Sequence, residues 1–170
     1  MKIGIVLAVA VLLWTPAGCK RRRSAALNSK GIATVVQMGD PRAADQLTSG
    51  FYDIEENAWR WTRKQFAVEI GTPLGANTRG ATLEVALTVP PVIIERNGSV
   101  TLSANIEGTQ LQPETYSKAG DFVYRRDVPP DLLGPAAVKG TFEVDKTFTP
   151  GGPDQRVLGI VVTTVALVRK

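Results

Sequence analysis

From Phe66 onward the chain alternates. Phe66, Val68 and Ile70 are separated by Ala67 and Glu69; Leu83, Val85, Leu87 and Val89 by Glu84, Ala86 and Thr88; Val100, Leu102, Ala104 and Ile106 by Thr101, Ser103 and Asn105. A period of two puts successive side chains on opposite faces of an extended chain, one toward a core and one toward water. Further strands are expected at 121–127, 139–147 and 157–168, the last so continuously apolar that it fits a strand covered on both faces. Turn-forming residues punctuate these runs at Pro90-Pro91, Asn97-Gly98, Pro129-Pro130 and 150–154. Asn97-Gly98 reads as the type I′ turn of a hairpin, and only 53–58 suggests a helical turn. Seven or eight short strands predict an all-β fold, an antiparallel β-sandwich. Jelly-roll and immunoglobulin-like topologies both fit.

The first 48 residues follow different rules. Met1-Lys2 precedes an apolar run from Ile3 to Trp14 and then Thr-Pro-Ala-Gly-Cys, the three regions of a secretory signal. The run is too short for a mature membrane span, which needs about 20 residues. Pro16-Ala17-Gly18-Cys19 resembles the lipobox of bacterial lipoproteins, with Pro16 departing from the aliphatic residue preferred there. The resemblance implies cleavage before Cys19, acylation of its thiol, and a place in the cell envelope on the exported side, at the periplasmic face or outer membrane. The alternative is an incidental thiol after ordinary cleavage. Membrane lipid is thus the partner expected through Cys19, and Lys20-Arg21-Arg22-Arg23 either lie against anionic head groups or are simply solvated. The organisation expected is a signal at 1–18, a basic and flexible tether at 19–48, and the sandwich at 49–170. Within the tether Ile32–Val36 with Met38 is its one hydrophobic cluster, either a first strand or a linker segment.

Charge and composition then narrow the chemistry. The net +4 is concentrated before residue 46; from Gln46 onward there are 13 Lys/Arg against 14 Asp/Glu. A basic globular surface for nucleic acid is therefore not expected. With no histidine and Cys19 the one cysteine, zinc sites, histidine-based nucleophile arrangements and an intramolecular disulfide are disfavoured. No metal or cofactor is expected. Glu55, Glu56, Asp121 and Asp127 are acids of the right type for glycoside hydrolysis, but no spacing selects a pair. The chain reads as a non-enzyme.

The aromatic residues gather at Phe51-Tyr-Asp-Ile-Glu-Glu-Asn-Ala-Trp-Arg-Trp-Thr62. This stretch with Gly50, and Phe148-Thr-Pro-Gly-Gly-Pro-Asp154-Gln-Arg156-Val-Leu158-Gly159, resembles a β-sandwich module of bacterial envelope proteins, related to modules attached to polysaccharide-associated glycosyltransferases. The resemblance implies a sandwich over about 50–170 and carbohydrate as associated chemistry.

Trp59 and Trp61 are odd-numbered, whereas the core positions Phe66, Val68 and Ile70 are even. Either Arg63-Lys64-Gln65 is a turn or bulge that resets the register and both indoles join the core, or the strand is continuous and they stand on its outer face. In the second case Tyr52, Trp59, Arg60 and Trp61 form a candidate sugar surface, ring faces against pyranose C–H groups and polar groups toward hydroxyls. One buried and one exposed indole is a third outcome. Asp154 and Arg156, two apart, are expected as an ion pair securing the loop before the last strand. The function expected is a lipid-anchored envelope protein that binds a glycan or an envelope component, or else an assembly lipoprotein contacting an envelope protein.

Overall fold

The computed structural model describes residues 31–170; the lipobox-like sequence, Cys19 and the basic run lie outside the described residues. Ten strands make up one curled antiparallel sheet. They are β1 (Val35–Gln37), β2 (Leu47–Glu55), β3 (Trp59–Gly71), β4 (Ala81–Val89), β5 (Val100–Ile106), β6 (Thr109–Gln110), β7 (Glu114–Tyr116), β8 (Gly120–Val128), β9 (Ala137–Val144) and β10 (Val161–Arg169). The order is β6-β5-β9-β3-β10-β4-β8, with β1 on β10, β2 on β3 and β7 on β5.

β3 makes the curl. Its Arg60 and Trp61 pair with Val162 and Val161 of β10, whereas Gln65–Gly71 pair with β9. One strand thus serves two layers, and the sheet closes on itself as a sandwich. The alternating positions supply the interior: Phe66, Val68 and Ile70, Leu83 to Val89, Val100 to Ile106 and Val138 to Val144 point into a single buried cluster. β10 is buried along most of its length, as its apolar run requires.

Three expectations change. The folded body begins inside the segment expected to be a tether. β1 pairs with β10, Val36 and Met38 are 1% and 0% exposed, and a 3-10 helix at Pro41–Gln46, capped by Asp40, leads into β2. Ile32–Val36 and Met38 therefore act as an interior strand rather than linker. The Asn97-Gly98 hairpin is also replaced. Pro91 opens a helix, α2 (Pro91–Asn97), after a four-residue helix, α1 (Ala76–Arg79), and Gly98 ends it with φ of 76°. Its N–H donates to Ile94 O at 2.7 Å, so the glycine caps a helix instead of turning a hairpin. Ile93, fully buried, ties α2 to the core. The third change is at 53–58. Glu56 and Asn57, with φ of 51° and 53°, make the tight hairpin turn between β2 and β3. Ala58 N–H closes it onto Glu55 O at 3.1 Å.

Candidate functional site

The β2–β3 hairpin is built around a close approach. Gly50 has φ of +77°, and a Cβ there would lie 2.0 Å from Gln65 O and 2.5 Å from Phe66 Cα. Glycine lets β2 bulge tightly against β3, which turns Phe51 inward onto Phe66 with ring centroids 5.3 Å apart. Tyr52, the next residue, faces the other way.

β3 is one strand through Arg63, Lys64 and Gln65 but is irregular there: between Phe51↔Thr62 and Ser49↔Ala67 two steps along β2 match five along β3, and all three side chains are exposed. The irregularity leaves the parity of the strand unchanged, because Thr62 and Phe66 are both buried. Thr62 is fully buried on the even face, its hydroxyl donating to Ile160 O at 3.1 Å and accepting from Ile160 N–H at 3.2 Å. Trp59 and Trp61 therefore stand on the outer face, both half-buried. They meet edge-to-face, centroids 5.9 Å apart at 85°, and Trp61 meets Phe148 the same way at 5.7 Å and 71°. Arg96 of α2 lies 5.9 Å from the Phe148 ring. The indoles are not the coplanar pair a flat sugar surface would present. The edge of one indole packs against the face of the other, and Phe148 is the next ring in the row.

Arg60 takes no part in that row. Its guanidinium donates to Met38 O at 3.1 Å and Tyr52 O at 2.9 Å, fastening the hairpin to the segment after β1. Tyr52 is likewise engaged: its hydroxyl donates to Val157 O at 3.0 Å, and the Arg63 and Arg156 guanidinium carbons lie 4.9 and 5.3 Å from its ring centre.

The β9–β10 connection packs across this face. Arg156 holds Asp154 through a bidentate contact (3.0 and 2.8 Å) and reaches Glu55 at 2.8 Å across the hairpin. These bonds lower the Asp154 carboxyl below its ordinary range, chiefly through the Arg156 side chain, and raise the Arg156 guanidinium. Phe148 and Leu158 exchange backbone hydrogen bonds at 2.9 and 2.8 Å, and Leu158 is buried. Gly159 then donates to Thr62 O at 2.7 Å; a Cβ there would lie 2.7 Å from Thr62 Oγ1 and 2.9 Å from Arg63 O. In the Asp-x-Arg-x-Leu-Gly stretch, Asp154 thus completes an ion pair, Arg156 clamps the hairpin, Leu158 anchors the connection in apolar surroundings, and Gly159 permits the close approach.

No protein-family model and no curated protein matches the chain. Among solved structures it is similar to a family 35 carbohydrate binding module from Clostridium thermocellum, at 8% identity and TM-score 0.44, covering 79% of this chain and 97% of that one. It is similar too to a cycloalternan-forming enzyme from Listeria monocytogenes in complex with pentasaccharide substrate, at 13% identity and TM-score 0.40 over 73% of this chain. The chain spans only 11% of that enzyme's length.

The candidate acids are dispersed. Glu55 is bound to Arg156, Asp121 accepts from Thr88 Oγ1 at 2.6 Å, Asp127 pairs with Lys170 at 3.0 Å, and Glu56 sits exposed in the hairpin turn. Among the described residues, no group of three or more potential ligands stands ready for a metal ion. The sequence pattern places Arg60 among ligand contacts, whereas the structure commits it to backbone carbonyls. Phe148, Arg63 and Arg96 join the aromatic cluster without being foreshadowed there, because each arrives from elsewhere in the chain or faces a partner strand. The parity shared by Trp59, Trp61 and Arg63 is the signal that could have found the last of these neighbours on β3.

Proposed function

We propose that this chain is a non-catalytic glycan-binding module, exported and held at the envelope membrane by an acylated Cys19. The observation that carries the binding reading is the outward, half-buried Trp59–Trp61 pair, continued by Phe148. Large rings turned away from the core offer apolar surface for sugar C–H groups along the row Trp59, Trp61 and Phe148. Arg63 stands two residues on, without a carboxylate partner among the described residues, and keeps its N–H donors for hydroxyls. Arg156 and Asp154 brace the connection that brings Phe148 to Trp61.

A glycan array probed with the full-length chain tests this. Binding is expected, and Trp61→Ala is expected to weaken it at least tenfold, about 1.4 kcal/mol, with circular dichroism unchanged. Trp59→Ala should weaken it too. A chain that binds no glycan ends the reading. The anchor has its own check: mass spectrometry of membrane-extracted protein should find Cys19 acylated, and an unmodified thiol removes the anchor.

A further inference from the structure

The outer face of β3 does not stop at the tryptophans. Past the irregularity at 63–65, Gln65 and Ala67 lie on the outer side of the layer made of β2, β3, β9 and β5, which is hollowed into a trough of about 410 Å³. Two rows of residues cross it in register. Ser49, Ala67, Thr141, Asn105 and Gln110 form one, and Gln65, Glu143 and Ser103 the other. The centre is small (Ser49, Ala67, Ser103, Thr141), and the longer amides and Glu143 stand around it.

The polar groups here are largely unspent. The hydroxyls of Ser49, Ser103 and Thr141 have no partner among the described residues, nor does the Lys139 ammonium at the trough's border. Asn105 uses its oxygen on Gly108 N–H and leaves its amide donors open. Gln65 donates to Glu143 at 2.9 Å, so two of the larger side chains are fixed in place. Uncharged donors and acceptors dominate, and the two charges present, Glu143 and Lys139, are opposite in sign. This lining matches a hydroxyl-rich chain. An extended peptide binding by strand addition would lie along the free side of β2, which pairs only with β3, and so beside the trough rather than in it.

We infer that the trough and the outward tryptophan row are two ends of one track along β3, so that the ligand is an extended, neutral polysaccharide rather than a short sugar. The inference rests on the glycan-binding reading above. At about 3.3 Å per residue for a regular strand, Trp61 and Ala67 are at most about 20 Å apart along β3, less where it is irregular at 63–65. A polymer reaches both ends at once, and a disaccharide occupies one.

The test uses the full-length chain with a β-1,4-glucan, a mannan and a xylan, each as soluble polymer and as disaccharide. Ser103→Trp and Thr141→Trp fill the trough with residues a strand accepts. Both are expected to weaken polymer binding at least tenfold while disaccharide binding changes less than twofold. Should either variant misfold, Ser103→Ala with Thr141→Val removes the hydroxyls at the same two positions without bulk, and a threefold or greater polymer-selective loss is expected. Polymer binding within twofold of the unaltered chain in the filled variants, with Trp61→Ala still impaired, overturns the track and leaves the tryptophan row as the binding surface. Failure of the unaltered chain to bind any of these polymers or disaccharides overturns the track, and failure on the full array as well overturns the glycan reading with it.

Discussion

Tyr116 and Tyr124 show how much one hydroxyl can decide. Both are buried, at 4% and 0% exposure, and burial raises both phenol pKa values. Tyr124 donates to Gln112 O at 2.8 Å, whereas the Tyr116 hydroxyl has no hydrogen-bond partner among the described residues. A buried polar group without a partner costs about 1–3 kcal/mol, and a satisfied bond contributes about 1. Tyr116→Phe is therefore expected to stabilise by about 1 kcal/mol and Tyr124→Phe to destabilise by about as much, read from urea midpoints. The pH sign follows: a phenol pKa raised on folding favours the neutral form, so its stabilising effect holds below about pH 10 and is lost as pH rises past that value. Tyr116→Phe should shift the alkaline unfolding midpoint upward; an unchanged midpoint would contradict the burial account. At this scale the sequence is readable through parity alone. Parity places Trp59 and Trp61 opposite Phe66, given a continuous strand, but says nothing of Phe148, which lies nearly ninety positions away.

At the scale of elements, two glycines do what no periodicity reveals. Gly50 and Gly159 each allow backbone to touch β3, from β2 on one side and from the β9–β10 connection on the other. Adding a methyl group at Gly50 combines left-handed backbone with overlap against Gln65 O, so Gly50→Ala is expected to cost about 3 kcal/mol or more. Gly159→Ala meets Thr62 Oγ1 and Val144 Cγ2 as well as Arg63 O, and roughly 1–3 kcal/mol is expected because the side chains can yield. Equal losses for the two would show that overlap, not backbone conformation, dominates. The long strands are legible because burial on one face imposes period two. The two helices are not: α1 has four residues and α2 seven, too few turns for an apolar stripe to repeat. Asn97-Gly98 misleads for a related reason, since the same dipeptide suits a helix C-terminus and a hairpin, and Pro91 decides between them. Meanwhile Glu56-Asn57 turns the hairpin without any glycine.

For the whole molecule, the consequential feature is that closure depends on residues preceding the strongly patterned part. Composition makes 24–48 look like a tether: small, polar and interrupted. Yet a short strand needs only one or two inward side chains, and β1 supplies Val36, followed by Met38, to an interior otherwise complete. Gln46 reinforces the closure, donating to Ala33 O at 3.0 Å and Glu69 O at 2.8 Å. Burying two such side chains contributes about 3–6 kcal/mol, an upper figure because the unfolded chain already shields some of that surface. Against a typical total of about 5–15 kcal/mol, that is a large share. A chain trimmed to begin at Ser49 is therefore expected to be at least about 3 kcal/mol less stable than one beginning at Gly31. Paired urea titrations decide it. Coincident midpoints for the two trimmed chains would mean that β1 merely rests on β10, whereas the expected gap makes 31–48 part of the fold that holds β3 and its outward tryptophans in place.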